Sequence, residues 1–149
     1  MPEALVICWG NELRGDDGAG PAVGHALLEQ AVPARIRLVH QLVPELAIDL
    51  AETTLAVFVD AARDLPPGEI RVDPIHAAEP TFRGTHRFGP AQLLGLVRAI
   101  CDRCPTAWQV SIGGRDWDLR MSLSPAVAAA VRVAAGSIGR LIGSPTSRD

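Results

Sequence analysis

A glycine-rich acidic turn between a strand and a helix constrains the fold of this chain most. The apolar run 4–8 is typical of a buried strand, and the segment 21–32, apolar at helical spacing, predicts a helix. The turn between them, 9–20, would lie at the carboxyl edge of a parallel sheet, where open α/β sheets hold their ligands. It contains the adjacent carboxylates Asp16 and Asp17. Two such charges are costly unless a cation or a proton joins them, so this turn is the first candidate site.

The rest of the chain continues the alternation of strands and helices. Strands are predicted at 34–40, 55–59, 69–74 and 108–112, and helices at 45–52, 90–101 and 125–142. This order predicts an α/β fold, a three-layer α/β/α sandwich with a mostly parallel, roughly five-stranded sheet. A length of 149 residues fits a single domain, assigned to 1–143, with 144–149 as a tail expected to fray. Ser124 is expected to cap the last helix, with Pro125 at its first position.

Composition narrows the function classes. The net charge is −3 and no basic stripe is visible, so nucleic-acid binding is not expected. No apolar run approaches the length that spans a bilayer and no targeting pattern opens the chain, so membrane insertion is not expected either. Three cysteines form no disulfide framework, which favours a cytoplasmic location. No exposed apolar face stands out, and a monomer is expected.

Two further residues could join the acidic turn. Asp60 follows the strand 55–59, and His86 lies in the polar segment 76–90, which is long for a loop within a compact domain. If the strands are parallel, both residues reach the same sheet edge as Asp17. Two carboxylates and an imidazole can bind a divalent metal or activate a water molecule. The residues alone also allow a plain interpretation, with the aspartates as caps and His86 as a solvated loop residue.

Four segments match a known pattern in order and cover nearly the whole chain. They are 10–20 (GNELRGDDGAG), 57–61 (VFVDA), 86–94 (HRFGPAQLL) and 123–125 (LSP). Together they resemble the hydrogenase maturation proteases, endopeptidases that remove a C-terminal extension from the large subunit of [NiFe] hydrogenases. The first segment is fairly specific, whereas the other three are weak when taken alone.

The resemblance implies a role for each matching residue. The catalytic and metal-contacting residues that it implies are Asp17, Asp60 and His86. The residues of the supporting turn are Gly10, Asn11, Asp16 and Gly18. Many family members have Glu where this chain has Asp17, and the loop 113–120 differs from the usual version, which contains Pro and Gly.

The resemblance also implies a cofactor and a partner. No permanently bound cofactor is expected, because nickel arrives in the substrate, although other divalent cations could occupy the site. The substrate would be the [NiFe] hydrogenase large subunit precursor, and cleavage would wait until metal insertion is complete. The activity implied is that of an aspartic-type endopeptidase.

Alternatives from other classes stay open. A receiver-like phosphoacceptor also places an acidic pair after its first strand and an Asp after its third. It needs a lysine at the end of its last strand, however, and all 14 basic residues here are arginines, which present a fork instead of a point charge. A dinucleotide site is disfavoured because Asp16 and Asp17 would repel a pyrophosphate. A non-catalytic metal- or partner-binding α/β module is the remaining alternative.

Overall fold

Five strands and four α-helices make up the part of the chain that this computed structural model describes, residues 3–79 and 88–143. The strands are β1 (Ala4–Trp9), β2 (Arg35–Val39), β3 (Leu55–Ala62), β4 (Ile70–Ile75) and β5 (Thr106–Gly113). The helices are α1 (Ala19–Gln30), α2 (Leu46–Leu50), α3 (Pro90–Cys101) and α4 (Pro125–Ile142), and a short 3-10 helix, Gly15–Gly18, leads into α1.

The strands form one sheet in the order β2-β1-β3-β5-β4. Neighbouring strands are parallel from β2 to β5, and β4 pairs antiparallel with β5 at the edge. Parallel strands need helical connections that cover both faces of the sheet, which explains the continuous apolar runs of β1 and β3. The predicted α/β fold with a mostly parallel five-stranded sheet is confirmed.

Two apolar cores lie on opposite faces of the sheet, because successive side chains of a strand point to opposite sides. Val6 and Cys8 of β1 pack in the core formed with α1 and α4. Leu5 and Ile7 pack in the other core, with α2 and α3. All four side chains are fully buried, which fixes the register of β1 and so places the turn that follows it.

The third strand is longer than predicted. Its pairing with β5 continues beyond Val59 through Asp60, opposite Ser111, to Ala62, opposite Gly113. The expectation that Asp60 follows the strand was therefore wrong. Asp60 lies inside the last paired segment of β3, where the neighbouring strand can supply hydrogen-bond donors to it.

The start of α4 corrects a second expectation. Ser124 occupies the N-cap position and Pro125 the first helical position, but the Ser124 side chain makes no capping hydrogen bond. Its hydroxyl instead donates to the Asp16 carboxylate over 2.8 Å. This charge-assisted hydrogen bond is a strong one, and it gives Ser124 a tertiary contact in place of the predicted side-chain cap.

Helix α4 contradicts the expectation that no apolar run is long enough to span a bilayer. It has 18 residues and a mean hydropathy of 1.3, so by length and composition alone it could cross a membrane. Its face formed by Val127, Ala134 and Ile138 is completely buried in the core shared with α1 and β5. In this fold α4 packs that face against the core and leaves its opposite face exposed.

Candidate active site

The acidic turn folds back over the end of β1. Gly10 has a φ of +146°, and a Cβ at this position would collide with the backbone carbonyl oxygen of Asp17. The N–H of Asn11 donates to the Asp17 carboxylate over 2.8 Å, while the Asn11 side-chain oxygen accepts from the N–H of Leu13 over 2.9 Å. The turn therefore holds the Asp17 carboxylate at the end of β1, the strand between β2 and β3.

Asp60 on β3 is half-buried and bound from the adjacent strand. Its carboxylate accepts hydrogen bonds from Gln109 Nε2 over 3.1 Å and from Ser111 Oγ over 3.4 Å. Burial raises the pKa of Asp60 to about 6, and the nearby charge of Asp17 adds to this rise, whereas the two hydrogen bonds oppose it. Asp60 can therefore bind or release a proton near neutral pH, as a general acid or base must.

Asp17 and Asp60 line the same cavity, of about 460 Å³, which we call the carboxylate cavity. The other side chains that contribute to its wall include those of Trp9, His40, Arg63, Asp64 and Trp117. Asp60 also lines a second cavity, of about 490 Å³, whose wall contains Leu42 and Phe88. Asp60 can therefore be reached from two cavities.

Asp16 has a different environment from its neighbour Asp17. It is completely buried and accepts hydrogen bonds from the N–H groups of Arg115, Asp116 and Ser124 and from the Ser124 hydroxyl, at 2.8 to 2.9 Å. Burial favours the neutral carboxyl, but these four donors outweigh it and hold the pKa of Asp16 below its usual value. Asp16 therefore ties the acidic turn to the loop between β5 and α4.

Solved structures resemble this chain over almost its full length. The [NiFe] hydrogenase maturation protease HybD from Thermococcus kodakarensis superimposes with a TM-score of 0.75 and 28% identity, over 95% of this chain and 99% of that one. The predicted resemblance to hydrogenase maturation proteases is confirmed. HybD from E. coli, a hydrogenase maturating endopeptidase, shares the fold with a TM-score of 0.67 and 21% identity over 91% and 89% of the two chains. No protein-family model and no curated protein matches the sequence.

The maturation protease HycI from Thermococcus kodakarensis also shares the fold, with a TM-score of 0.71 and 19% identity over 94% of this chain and 92% of that one. The likeness to HybD from Thermococcus kodakarensis, at 28% identity, supports a peptidase activity, and the other two neighbours show the shared fold. In this maturation-protease fold the structure brings two of the predicted site residues, Asp17 and Asp60, to one cavity. The third, His86, lies outside the described residues. Within 3–79 and 88–143, no three His, Cys, Asp or Glu side chains are grouped so that they could hold a metal ion.

Several residues of this site were not predicted from the sequence. The sequence could have identified Gln109 and Ser111, because polar residues two apart in an apolar strand lie on the same face of the sheet. His40 follows β2 directly, and the register that pairs Val39 with Trp9 brings it beside the end of β1. No local sequence pattern identifies Arg63 and Trp117, because they are distant in the chain and meet only in the folded structure.

The surface beside the acidic turn contradicts the expectation that no exposed apolar face stands out. Leu13 and Met121 are 54% and 82% exposed and line a third cavity, of about 480 Å³, which also includes His40. Leu119, in the same loop as Met121, is 76% exposed. Large apolar side chains are therefore exposed close to the site, contrary to the expectation that no such surface exists.

Proposed function

We propose that this chain is the endopeptidase that removes the C-terminal extension from the nickel-loaded large subunit of a [NiFe] hydrogenase. One observation carries the proposal. Asp17 from the acidic turn and Asp60 from β3, 43 residues apart in the chain (60 − 17), line one cavity at the carboxyl edge of a sheet that superimposes on maturation proteases. Carboxylates placed in this way suit both metal recognition and water activation.

We propose that the nickel of the substrate is recognised by Asp17, Asp60 and His86. The first two side chains offer carboxylate oxygens in the carboxylate cavity, and the imidazole of His86 would be a further ligand suited to nickel. A partial ligand set suits a metal that arrives with ligands of its own from the substrate. Cleavage would then depend on metal insertion, because only the loaded precursor could complete the coordination.

The proposed reaction is hydrolysis of one peptide bond. A water molecule attacks the scissile carbonyl carbon, the new C–O bond forms, and one proton of the water passes to a carboxylate of the cavity. The C–N bond then breaks, and the departing nitrogen takes up a proton. Asp60 suits the transfer because it lines the cavity together with Asp17.

The partner, the cellular location and the oligomeric state belong to the same proposal. The partner is the large subunit precursor, for which the exposed Leu13, Leu119 and Met121 offer apolar contact area beside the cavity. We expect the enzyme to act as a cytoplasmic monomer without nucleic acid.

Cleavage of the nickel-loaded precursor by single-site variants tests the proposal. Asp17→Asn, Asp60→Asn and His86→Ala should each lose activity, because each removes a group that recognises the metal or moves a proton. Asp102→Asn is a matched control. Asp102 is exposed at the end of α3, at the opposite edge of the sheet, and its φ of +60° is one that Asn also adopts readily. Equal cleavage by all four variants would contradict the assigned site.

A further inference from the structure

The carboxylate cavity contains a guanidinium that lies over an aromatic ring. Arg63 follows directly after β3, and its Cζ lies 4.2 Å from the centroid of the Trp117 ring. Both side chains line the cavity together with Asp17 and Asp60. The N–H donors of a guanidinium lie in its own plane, so an acceptor can bind along its edge while the ring contacts the cation.

The Trp117 ring is itself held by the acidic turn. A Cβ on Gly114 would lie 2.6 Å from the ring atom Cζ2 of Trp117 and 3.0 Å from Cβ of Asp16, so the ring packs directly against the Gly114 backbone. Asp16 accepts hydrogen bonds from the N–H groups of Arg115 and Asp116, the two residues that precede Trp117. The backbone N–H of Asp16 also donates to the Asp116 carbonyl over 2.7 Å. The turn that places Asp17 therefore also places the ring under Arg63.

The donors of Arg63 are not used within the protein, as far as the structure describes it. Among residues 3–79 and 88–143, Arg63 forms no ion pair within 4.0 Å and no side-chain hydrogen bond. Its neighbour Asp64 pairs instead with Arg71, at 3.7 Å. An exposed cation that lies over a ring, with its donors unused among these residues and two carboxylates in the same cavity, is suited to an acceptor that comes from outside the chain.

Peptide hydrolysis needs such a group. Negative charge develops on the scissile carbonyl oxygen in the transition state, and hydrogen-bond donors fixed in advance stabilise it. A carboxylate that is ionised to take up the proton of the water only accepts hydrogen bonds and would repel this charge, so a separate donor suits the role. The guanidinium of Arg63 presents its N–H donors in a planar fork, which suits a carbonyl oxygen that becomes an oxyanion.

We propose that Arg63 is a further catalytic residue, which donates hydrogen bonds to the scissile carbonyl oxygen, and that Trp117 is its positioning residue. This inference rests on the proposed peptidase function. When water attacks, the C=O π electrons move to oxygen and Arg63 stabilises the resulting oxyanion without losing a proton. When the C–N bond breaks, these electrons re-form the C=O bond, and the proton first taken from the water passes to the departing nitrogen.

Steady-state cleavage of the nickel-loaded precursor separates this role from simple substrate binding. Arg63→Ala should lower kcat by about 10²–10³-fold, as removal of an oxyanion donor does, with KM changed less than about threefold. Trp117→Phe should keep most of the activity because it keeps an aromatic face, whereas Trp117→Ala should lower kcat. Arg132→Ala, at an exposed position of α4, is the matched control and should match wild type.

Chemical rescue excludes a merely structural effect. Millimolar guanidinium chloride or methylguanidine, too dilute to unfold the protein, should restore part of kcat to Arg63→Ala and should leave Arg132→Ala unchanged. An unchanged kcat in Arg63→Ala, a loss confined to KM, or a loss without rescue would overturn the role of Arg63. If wild type does not cleave the loaded precursor, the proposed function itself fails and the role of Arg63 falls with it. Wild-type cleavage with an unaffected Arg63→Ala variant overturns the role of Arg63 alone.

Discussion

Asp16 and Asp17 are adjacent in the chain, yet their carboxylates have opposite environments. Asp16 is fully buried and is surrounded by four hydrogen-bond donors from the loop before α4, whereas Asp17 lines the carboxylate cavity. The 3-10 conformation of Gly15–Gly18 produces this divergence, because it turns consecutive side chains in different directions. The acidic pair therefore combines one structural carboxylate with one that is available to a ligand.

Substitution of Asp16 should lower stability more than substitution of Asp17. Asp16→Asn places an amide NH₂ or a neutral oxygen against donors that now bind a carboxylate, so some N–H groups lose their acceptor. We expect the free energy of unfolding to fall by about 1–3 kcal/mol. Urea denaturation of the two Asp→Asn variants checks this, and an Asp17→Asn variant that is the less stable of the two would contradict it.

The depressed pKa of Asp16 also predicts acid sensitivity. Its folded-state pKa lies below the unfolded value, so its stabilising contribution is present above the unfolded pKa and is lost as the pH falls through the folded pKa. Stability measured in this acidic window should fall more steeply for wild type than for Asp16→Asn, which has no carboxyl to protonate at this position. Parallel curves for the two proteins would show that Asp16 does not titrate in this way.

Asp60 should titrate near pH 6 in the isolated protein. Burial is the main cause, and the charge of Asp17 adds to it, so Asp17→Asn should move the Asp60 midpoint to lower pH. Carbon-detected NMR of the aspartate carboxyl groups measures both midpoints. An ordinary pKa for Asp60 in wild type, or the same midpoint in both proteins, would contradict the coupling.

The thiol of Cys8 should be inert in the native state. Burial raises its pKa to about 12, so almost no thiolate is present at neutral pH, and the side chain packs in the core of α1 and α4. Cys101 and Cys104 are only partly buried. Iodoacetamide labelling followed by mass spectrometry should modify these two first, and Cys8 only after unfolding. Native labelling of Cys8 at a similar rate would mean that β1 opens readily.

Gly114→Ala should displace the Trp117 ring from its position against the backbone of residue 114. The new methyl group would lie 2.6 Å from the ring, so the indole must move, and the Arg63 guanidinium with it. We expect a lower kcat and a changed tryptophan emission. Gly139→Ala is a suitable control, because its Cβ would meet nothing within 4 Å inside α4, and there it should stabilise the protein by roughly 0.5–1 kcal/mol. Wild-type kcat in Gly114→Ala would show that the ring position is unimportant.

The parts of the fold that could be predicted are those with local signals. Apolar runs gave β1 and β3, and helical spacing with Pro90 and Pro125 at first positions gave α3 and α4. The acidic turn was located because it joins a strand to a helix. Its two carboxylates could not be told apart, since their difference depends on donors about 100 residues further along the chain.

The rest of the site depends on tertiary contacts that no local pattern contains. Arg63 and Trp117 meet only because Asp16 anchors the loop that carries Trp117. Ser124 looked like a helix cap by position, but its hydroxyl binds a buried charge instead. The role of His86 stays a prediction, because this residue lies outside the described part of the chain.

The most direct test of the central claim is the intact mass of the large subunit precursor after incubation with this protein, with and without nickel loaded. We predict that the loaded precursor loses its C-terminal extension as a single fragment and that the nickel-free precursor keeps its mass. Asp60→Asn should leave the loaded precursor uncut. A loaded precursor that keeps its full mass with the wild-type protein would contradict the proposed peptidase function.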